Sequence, residues 1–281
     1  MSPRSVLAIC LDLLVDAAAR RWLIALFGAV SLGLLLMGTS LELEVVDGAL
    51  AATKLFGDVV GSSTMEAADV ALRPLIRGAS YLVFYGWLIL GVLVTADFGP
   101  SLLQPGRIEH LLSLPVRRVE LLLGTYLGVL VITSAFLFYA AGGVVLILWF
   151  KAGILLPRLI ASAALAVVVF MAIYGAMLSA ALFVRSAAVS AIVGIGIVFL
   201  GILAGQRANL APMFESGWTR TVFDASIRLF PPVSRFGELG ADYAAAQAID
   251  APYLGVHLFG VLLFALATLA IGLFRFEGRD F

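Results

Sequence analysis

The sequence predicts an all-α integral membrane protein with six transmembrane helices, an amphipathic N-terminal helix and a short surface helix after the second span. Two observations support this fold class. Of the 281 residues, 62% are hydrophobic and only 13% are charged, whereas soluble domains average about 45–50% apolar and about 25% charged residues. The apolar residues are also gathered into six segments, each close to the roughly 20 residues that a helix needs to cross a bilayer.

The six predicted spans form one transmembrane domain, 1–281, with two long polar loops. The third span is longer than a bilayer requires, so we expect it to tilt or protrude. Only Arg185-Ser186 separates the fourth span from the fifth, which predicts a tight turn. Residues 40–78 and 205–252 form the long loops, and both contain stretches compatible with helices. The spans are Trp22–Thr39, Ala79–Ala96, Val119–Phe150, Leu159–Val184, Ala187–Ala204 and Tyr253–Phe274.

Residues 1–21 predict an amphipathic helix in the membrane interface. At about 100° per residue, Ser5, Asp12 and Asp16 fall on one face of this helix. The other face carries Val6, Leu7, Cys10, Leu11 and Leu14. Such a division is typical of a helix that lies among the lipid headgroups. The alternative is that this segment is a cytosolic extension of the first span.

Residues 97–118, between the second and third spans, are the most informative part of the chain. The stretch is half apolar and helix-forming up to Pro115, and it then becomes basic at Arg117 and Arg118. We therefore expect a short helix at the membrane surface, where a soluble partner can push on the protein. The alternative for the arginine pair is a positively charged anchor near the lipid headgroups.

Two glycine pairs at four-residue spacing predict close helix packing. Gly124 and Gly128 lie near the start of the third span, and Gly201 and Gly205 lie at the end of the fifth. Small residues at this spacing let helix backbones approach one another. We interpret both pairs as packing positions within the bundle or between copies of the chain.

The spans lack the residues that most membrane chemistry needs. Their middles contain no Asp, Glu, Lys or Arg, although proton relays and ion paths depend on such charges. Ser134, Ser179 and Ser190 have no nearby base, and we expect them to bond to helix carbonyls instead. The two lysines do not follow glycine, so the chain has no G-x-x-x-x-G-K-[ST] phosphate loop. If the protein transports actively, the energy must come from another chain.

Composition also argues against other kinds of binding. The net charge is zero, so no bulk attraction to nucleic acid is expected. Cys10 is the one cysteine, which rules out an intramolecular disulfide. The two histidines, His110 and His257, lie in separate segments and do not form the ligand spacing of a structural zinc site.

The flanks of the first span place the N-terminus in the cytoplasm. Arg20 and Arg21 precede this span, and positive residues favour the cytoplasmic side. Three carboxylates follow the span, at Glu42, Glu44 and Asp47. Six spans then put the C-terminus in the cytoplasm and both long loops outside. Arg73 and Arg77, close to the second span, argue for the opposite orientation.

An ordered set of residues runs from Gly106 to Gly128: Ile108-Glu109, Leu111-Leu112-Ser113, Pro115-Val116, Arg118, Leu121-Leu122 and Gly124. This order resembles the signature of the type 2 ABC exporter permeases, which is approximately G-T-x-E-x-L-L-S-x-P-V-x-R-x-x-L-L-x-G-K-x-x-G. The whole organisation is especially similar to the subgroup related to NosY and the gliding-type permeases. The sequence departs from the pattern at Leu102 to Pro105, where the family often carries charges, and at Thr125, where it has lysine.

The resemblance implies a permease subunit of an ATP-driven ABC exporter that is not itself an enzyme and holds no cofactor. Two permeases, identical or paralogous, would form the translocation path in the cytoplasmic (inner) membrane, in contact with the lipid bilayer. Two ABC ATPase subunits would hold the ATP and Mg. Residues 1–21 would be the interfacial elbow helix, and 97–118 the cytoplasmic coupling segment. The implied ATPase contacts are Glu109, Leu111, Leu112, Ser113, Pro115, Arg117, Arg118 and, as a minor contact, Arg185.

Two other classes of function stay open from the sequence alone. An ion-coupled carrier or membrane-embedded enzyme would need polar clusters that meet at bilayer depth. A non-transporting anchor or sensor would instead recruit an ATPase to the membrane. For a transporter, the uncharged spans favour apolar or amphiphilic cargo.

Overall fold

Six helices of the protein are long and apolar enough to cross a membrane, within the part of the chain that the computed structural model describes. Their ranges are Leu23–Ser40, Arg73–Leu102, Arg118–Ala152, Pro157–Val184, Ala187–Gly205 and Ala251–Glu277. These ranges confirm the predicted fold class, a multi-pass helical membrane protein. The structure describes residues 2–19, 21–46, 49–55, 58–59, 66–67, 72–113, 116–213 and 217–278.

The third span is the longest helix among the described residues, as predicted. It has 35 residues, or about 52 Å at roughly 1.5 Å per residue, against a hydrocarbon core of about 30 Å. The helices are α1 (Pro3–Ala19), α2 (Arg21–Ser40), α3 (Arg73–Thr95), α4 (Phe98–Leu102), α5 (Arg107–Ser113), α6 (Arg118–Ala152), α7 (Pro157–Val184), α8 (Ala187–Gly205), α9 (Arg207–Leu210), α10 (Trp218–Ile227), α11 (Val233–Ala244) and α12 (Ala251–Glu277). A 3₁₀ turn, Ala211–Met213, follows α9.

The first long loop contains a small antiparallel sheet, in place of the expected helical pieces. Strand β2 lies in the middle, with β1 on one side and β3 and β4 on the other. The register pairs Leu41 with Leu55 and shifts between Glu44 and Val45. The strands are β1 (Leu41–Val46), β2 (Ala49–Leu55), β3 (Asp58–Val59) and β4 (Glu66–Ala67). The Leu-Glu-Leu-Glu-Val-Val sequence of β1 has the two-residue alternation of a strand.

Helix α7 forms the centre of the bundle. Of its most apolar window, 61% of the residues are buried, compared with 11% for α2 and for α12. Phe170 and Tyr174 are each 1% exposed, and they stack with their ring centroids 6.1 Å apart. The outer helices α2 and α12 therefore present most of their apolar surface outward, as expected for helices that face lipid or another subunit.

Ser179 and Ser190, two of the three serines singled out in the sequence, bond to backbone carbonyls as predicted. Ser190 donates to the carbonyl of Met177 at 3.1 Å. Ser179 donates to Gly175 in its own helix at 2.9 Å and to Thr268 of α12. These bonds satisfy the hydroxyls without water and tie α7 to α8 and α12.

The two ends of the bundle differ in what covers them. The elbow end holds α1, α4, α5, the α7–α8 turn and the end of α12. The sheet end holds the strands and α9 to α11. An apolar cluster at the sheet end joins the start of β1 to the ends of four helices, through Leu41, Ile76, Leu148, Leu159 and Ala244.

Candidate functional site

Helix α1 lies in a groove that glycines open in α6. A Cβ added at Gly124 would come within 2.7 Å of the Ile9 Cβ and 3.1 Å of the Val6 carbonyl oxygen. At Gly128 it would come within 2.8 Å of Leu13. Real Cβ contacts are longer, since carbon atoms pack best at about 3.5–4.0 Å. The Gly124–Gly128 pair thus packs against the N-terminal helix of the same chain.

Three faces divide the surface of α1. Cys10, Leu13 and Ala17 are buried against the bundle. A second face carries Ser5, Asp12 and Asp16, the polar residues expected from the sequence. The third is an exposed apolar stripe, with Leu7 60%, Leu11 52% and Val15 70% exposed. A helix with a buried face, a polar face and an apolar stripe fits the membrane interface, as an elbow helix would.

The first part of the predicted coupling segment is packed into the bundle. Residues Phe98, Leu102 and Leu103 are 1–3% exposed. A Cβ on Gly99 would lie 2.7 Å from the Cβ of Ala181, near the end of α7. Residues 98–103 therefore fix the position of α5 relative to α7.

Helix α5 rests on the bundle by one face and presents the other. Gly106, with φ of +81°, directly precedes α5 in a left-handed conformation that glycine adopts without strain. Ile108 is 3% exposed and belongs to the core, and Leu111 is half-buried against it. Glu109 and Ser113 are exposed. The Leu112 side chain and Pro115 lie outside the described parts of the chain.

An ion pair joins α5 to α1. The Nη1 of Arg107 donates to the Oδ2 of Asp16 at 3.0 Å, and both side chains are about one-third exposed. Such partly exposed pairs are worth roughly 0.2–1 kcal/mol. The bond therefore sets the relative position of the two helices more than it stabilises the fold.

The two adjacent arginines have different surroundings. Arg117 has an exposed side chain and precedes α6 in an extended conformation, with φ −79° and ψ 148°. The Nη1 of Arg118 donates to the carbonyl oxygens of Phe276 and Glu277, at 3.0 and 2.9 Å. Because α12 ends at these carbonyls, Arg118 binds the last turn of that helix, where a cation also favours the helix dipole.

Glu120 is a structural residue that the sequence interpretation missed. Its carboxylate accepts hydrogen bonds from the backbone N–H groups of Ser2, at 2.6 Å, and Arg117, at 3.2 Å. It is 3% exposed and joins the start of α1 to the start of α6. Glutamate at the third position of a helix is a known signal for a helix N-terminus. Glu120 occupies that position in α6, so this signal was present in the sequence.

The turn between α7 and α8 places Arg185 at the elbow end. Arg185 is exposed and left-handed, with φ of 53°, and its N–H donates to the Ala181 carbonyl at 2.8 Å. Ser186 accepts from the N–H of Val189 and so begins α8. Nearby, the guanidinium of Arg275 lies 5.5 Å from the ring centroid of Phe183.

Comparison with known families identifies the chain. The model of the ABC-2 family transporter protein matches residues 103–281, which is more than half of the sequence. The chain belongs to the ABC-2 transporter family. It is a membrane-spanning permease subunit of an ABC transporter, and this membership implies association with an ABC ATPase. No curated relative matches the sequence significantly.

The match to the ABC-2 family begins inside the segment described above. Its first residue, Leu103, directly precedes the loop to α5, so α5 and all later helices are included. The departure from the resemblance at Thr125 has a physical reason. Thr125 is 1% exposed and donates to the Leu121 carbonyl at 2.9 Å, and a lysine ammonium at the same place would be buried at a high cost.

The glycine pair at the end of α8 serves a different contact in this ABC-2 permease. A Cβ on Gly201 would lie 2.6 Å from the Pro231 carbonyl oxygen, and one on Gly205 would lie 3.0 Å from the Arg235 nitrogen. Ser234 also donates to the Ile202 carbonyl at 3.1 Å. These approaches bring α11 against the end of α8.

Proposed function

We propose that this chain is the permease of an ATP-driven exporter and that the ATPase binds the elbow end through the exposed face of α5. The observation that supports this most is the position of α5. It lies between the second and third spans, presents Glu109 and Ser113 outward, and is braced by Ile108 and by the Arg107–Asp16 ion pair. Arg117 and Arg185 add exposed cations at the same end.

A push on α5 has two contact routes into the bundle. The first passes through Arg107 and Asp16 to α1, and from α1 to α6 at Gly124 and Gly128. The second passes through α4, which touches α7 at Gly99. Both routes consist of packed helices, which transmit displacement because protein interiors compress little. We infer that closure of the ATPases moves α1, α6 and α7 together.

The assembly we propose contains two permeases and two ATPases. The second permease is an identical copy or a paralogue, and ATP and Mg are held by the ATPases. Within the family, we assign the chain to the NosY and gliding-type subgroup. The interfacial α1, the short α7–α8 turn and the Pro231-Pro232 segment before α11 support this assignment.

We propose that the elbow end faces the cytoplasm and that the protein resides in the cytoplasmic (inner) membrane. Both termini would then be cytoplasmic, and residues 40–78 and 205–252 would lie outside. One ion pair supports this orientation. Arg77 pairs with Asp242 of α11 at 3.0 Å, so it is neutralised within the protein and has less weight as a cytoplasmic anchor.

Charge reversal at the elbow end tests the ATPase contact. The variants are Glu109→Arg and Arg117→Glu, with Arg220→Glu, an exposed arginine of α10 at the sheet end, as the control. Charge-assisted hydrogen bonds contribute about 1.5–3 kcal/mol, so each elbow variant should weaken binding of the ATPase roughly tenfold or more. Arg118 is unsuitable because its reversal would also release α12.

The measurement is co-purification of the cognate ATPase with equal amounts of membrane-inserted permease. The proposal expects loss of the ATPase with the elbow variants and normal recovery with Arg220→Glu. Normal recovery and normal transport with both elbow variants would contradict it.

A further inference from the structure

A cavity at the sheet end is lined by three arginines. It lies between the end of α8, the end of α10, the start of α11 and the start of α12, and its volume is about 280 Å³. Arg207, Arg228 and Arg235 line it, together with Tyr253 and His257. The candidate coupling face lies at the opposite end of the bundle, so neither the ATPase contact nor the proposed transport cycle accounts for this cavity.

The three arginines are not equally neutralised. Arg235 pairs with Glu238 at 2.9 Å. Arg207 lies 3.9 Å from Asp224, beyond hydrogen-bonding distance. Among the residues that the structure describes, no carboxylate pairs with Arg228. Within the described part of the chain, the cavity therefore holds one guanidinium without a paired carboxylate and a second whose carboxylate is 3.9 Å away.

An apolar trench continues from this cavity along α12. It has a volume of about 170 Å³ and shares Arg228, Phe230, Pro232 and His257 with the basic cavity. Its far side is formed by Val256, Gly260 and Phe264 of the same span. A site with a cationic head and an apolar tail region matches an amphiphile that carries a negative headgroup.

The ends of two candidate spans flank the site, which is the level expected for lipid headgroups. Helix α8 ends at Gly205 and α12 begins at Ala251, and both are candidate membrane spans. Helix α10, beside the cavity, exposes 81% of Trp218, and Leu229 just after it is 72% exposed. Exposed tryptophan next to apolar residues is typical of a helix in the membrane interface.

We propose that this cavity and trench bind an anionic phospholipid of the surrounding bilayer. The phosphate lies against Arg228 and Arg207, because guanidinium groups donate paired hydrogen bonds to phosphate oxygens. One acyl chain lies in the trench against Gly260 and Phe264. Binding of the lipid at this site requires neither the ATPase nor a particular direction of transport.

The test measures lipid retention by the purified full chain with native mass spectrometry. Detergent micelles are supplied with phosphatidylglycerol or, separately, with phosphatidylcholine. Arg228→Gln removes the headgroup anchor. Arg220→Gln, on the helix that ends just before Arg228, is the matched control, since Arg220 does not line the basic cavity or the trench.

A second pair of variants tests the tail. A Cβ on Gly260 meets nothing within 4 Å, and the same holds for Gly255 on the same helix. Gly260→Leu places a side chain in the trench from a position where a Cβ meets open space. Gly255, which lines neither cavity, provides the control Gly255→Leu. Both substitutions add the same side chain to α12.

We expect one phosphatidylglycerol to be retained by the wild type, with phosphatidylcholine retained at least tenfold less. Arg228→Gln and Gly260→Leu should each reduce retention about tenfold or more, as loss of a charge-assisted bond or of the tail site requires. The two control variants should retain lipid normally. Equal retention of both lipids, or equal retention by Gly260→Leu and Gly255→Leu, would overturn the proposal. Displacement of the lipid by millimolar inorganic phosphate would also overturn it, because it would mean that the site binds a free anion.

Discussion

The packing of α1 on α6 makes a quantitative prediction for the substitution Gly124→Ala. The added Cβ would meet the Cβ and Cγ2 of Ile9, each at 2.7 Å, and the Val6 carbonyl oxygen at 3.1 Å. The Cβ atoms are fixed to the backbone, so rotation of the Ile9 side chain cannot relieve the clash. Helix α1 must therefore move outward by about 1 Å to restore an ordinary contact of roughly 3.5–4.0 Å.

The cost of this movement can be measured at the one cysteine of the chain. Overpacking of this kind costs about 1–3 kcal/mol, which corresponds to an increase of roughly 5- to 150-fold in the undocked population of α1. Cys10 is 8% exposed against the bundle, and burial raises the pKa of its thiol. Undocking exposes the thiol and returns its pKa toward the ordinary value, so both effects accelerate reaction with a maleimide.

The assay is the rate of maleimide labelling of Cys10 in the purified full chain at constant pH. Gly142→Ala is the matched control, because a Cβ at that position of α6 meets nothing within 4 Å. Gly124→Ala should label faster than the control by the factor given above. Equal rates for the two variants would refute the argument that α1 is docked by a close approach at Gly124.

Three further predictions concern stability, topology and energy supply. Arg118→Ala removes the hydrogen bonds that this side chain donates to the Phe276 and Glu277 carbonyls. It should lower the free energy of unfolding by about 1–3 kcal/mol and speed carboxypeptidase digestion of α12. Unchanged digestion would contradict this prediction. In a Cys10→Ala background, cysteines at Gly61 and Ala246 should react with an impermeant thiol reagent in intact cells, and protection of both until lysis would mean that the orientation is reversed. The purified chain should not hydrolyse ATP. Hydrolysis that survives further purification would reject the proposal that separate ATPase subunits supply this activity.

The positions of the helices could be predicted because the bilayer imposes a length and a composition on each span. All six predicted spans overlap helices of the structure, and α6 is longer than a bilayer requires. The sheet at 41–67 was not predicted. Its alternating Leu-Glu pattern is short, and the strands are defined by their pairing with β2.

The side-chain contacts of the candidate site were harder to foresee. The sequence places Arg117 and Arg118 together, but their different roles depend on α12, which ends more than 150 residues later and reaches Arg118 only in the folded bundle. The glycine pairs were correctly singled out as small residues, but their partners α1 and α11 are not indicated by the spacing. Glu120 in the first turn of α6 carries the usual signal of a helix N-terminus, but its bond to the Ser2 backbone depends on the docking of α1 and is not indicated by the sequence.

The central claim is that the ATPase docks on the elbow end through α5, and photo-crosslinking tests it most directly. A photoreactive amino acid is placed at Glu109, which is exposed on α5, or at Leu229, which is 72% exposed at the sheet end. Each variant is irradiated in membranes that also contain the cognate ATPase. The account predicts a permease–ATPase adduct from position 109 and none from position 229. An adduct from position 229 alone, or none from 109 while the two proteins still co-purify, would contradict it.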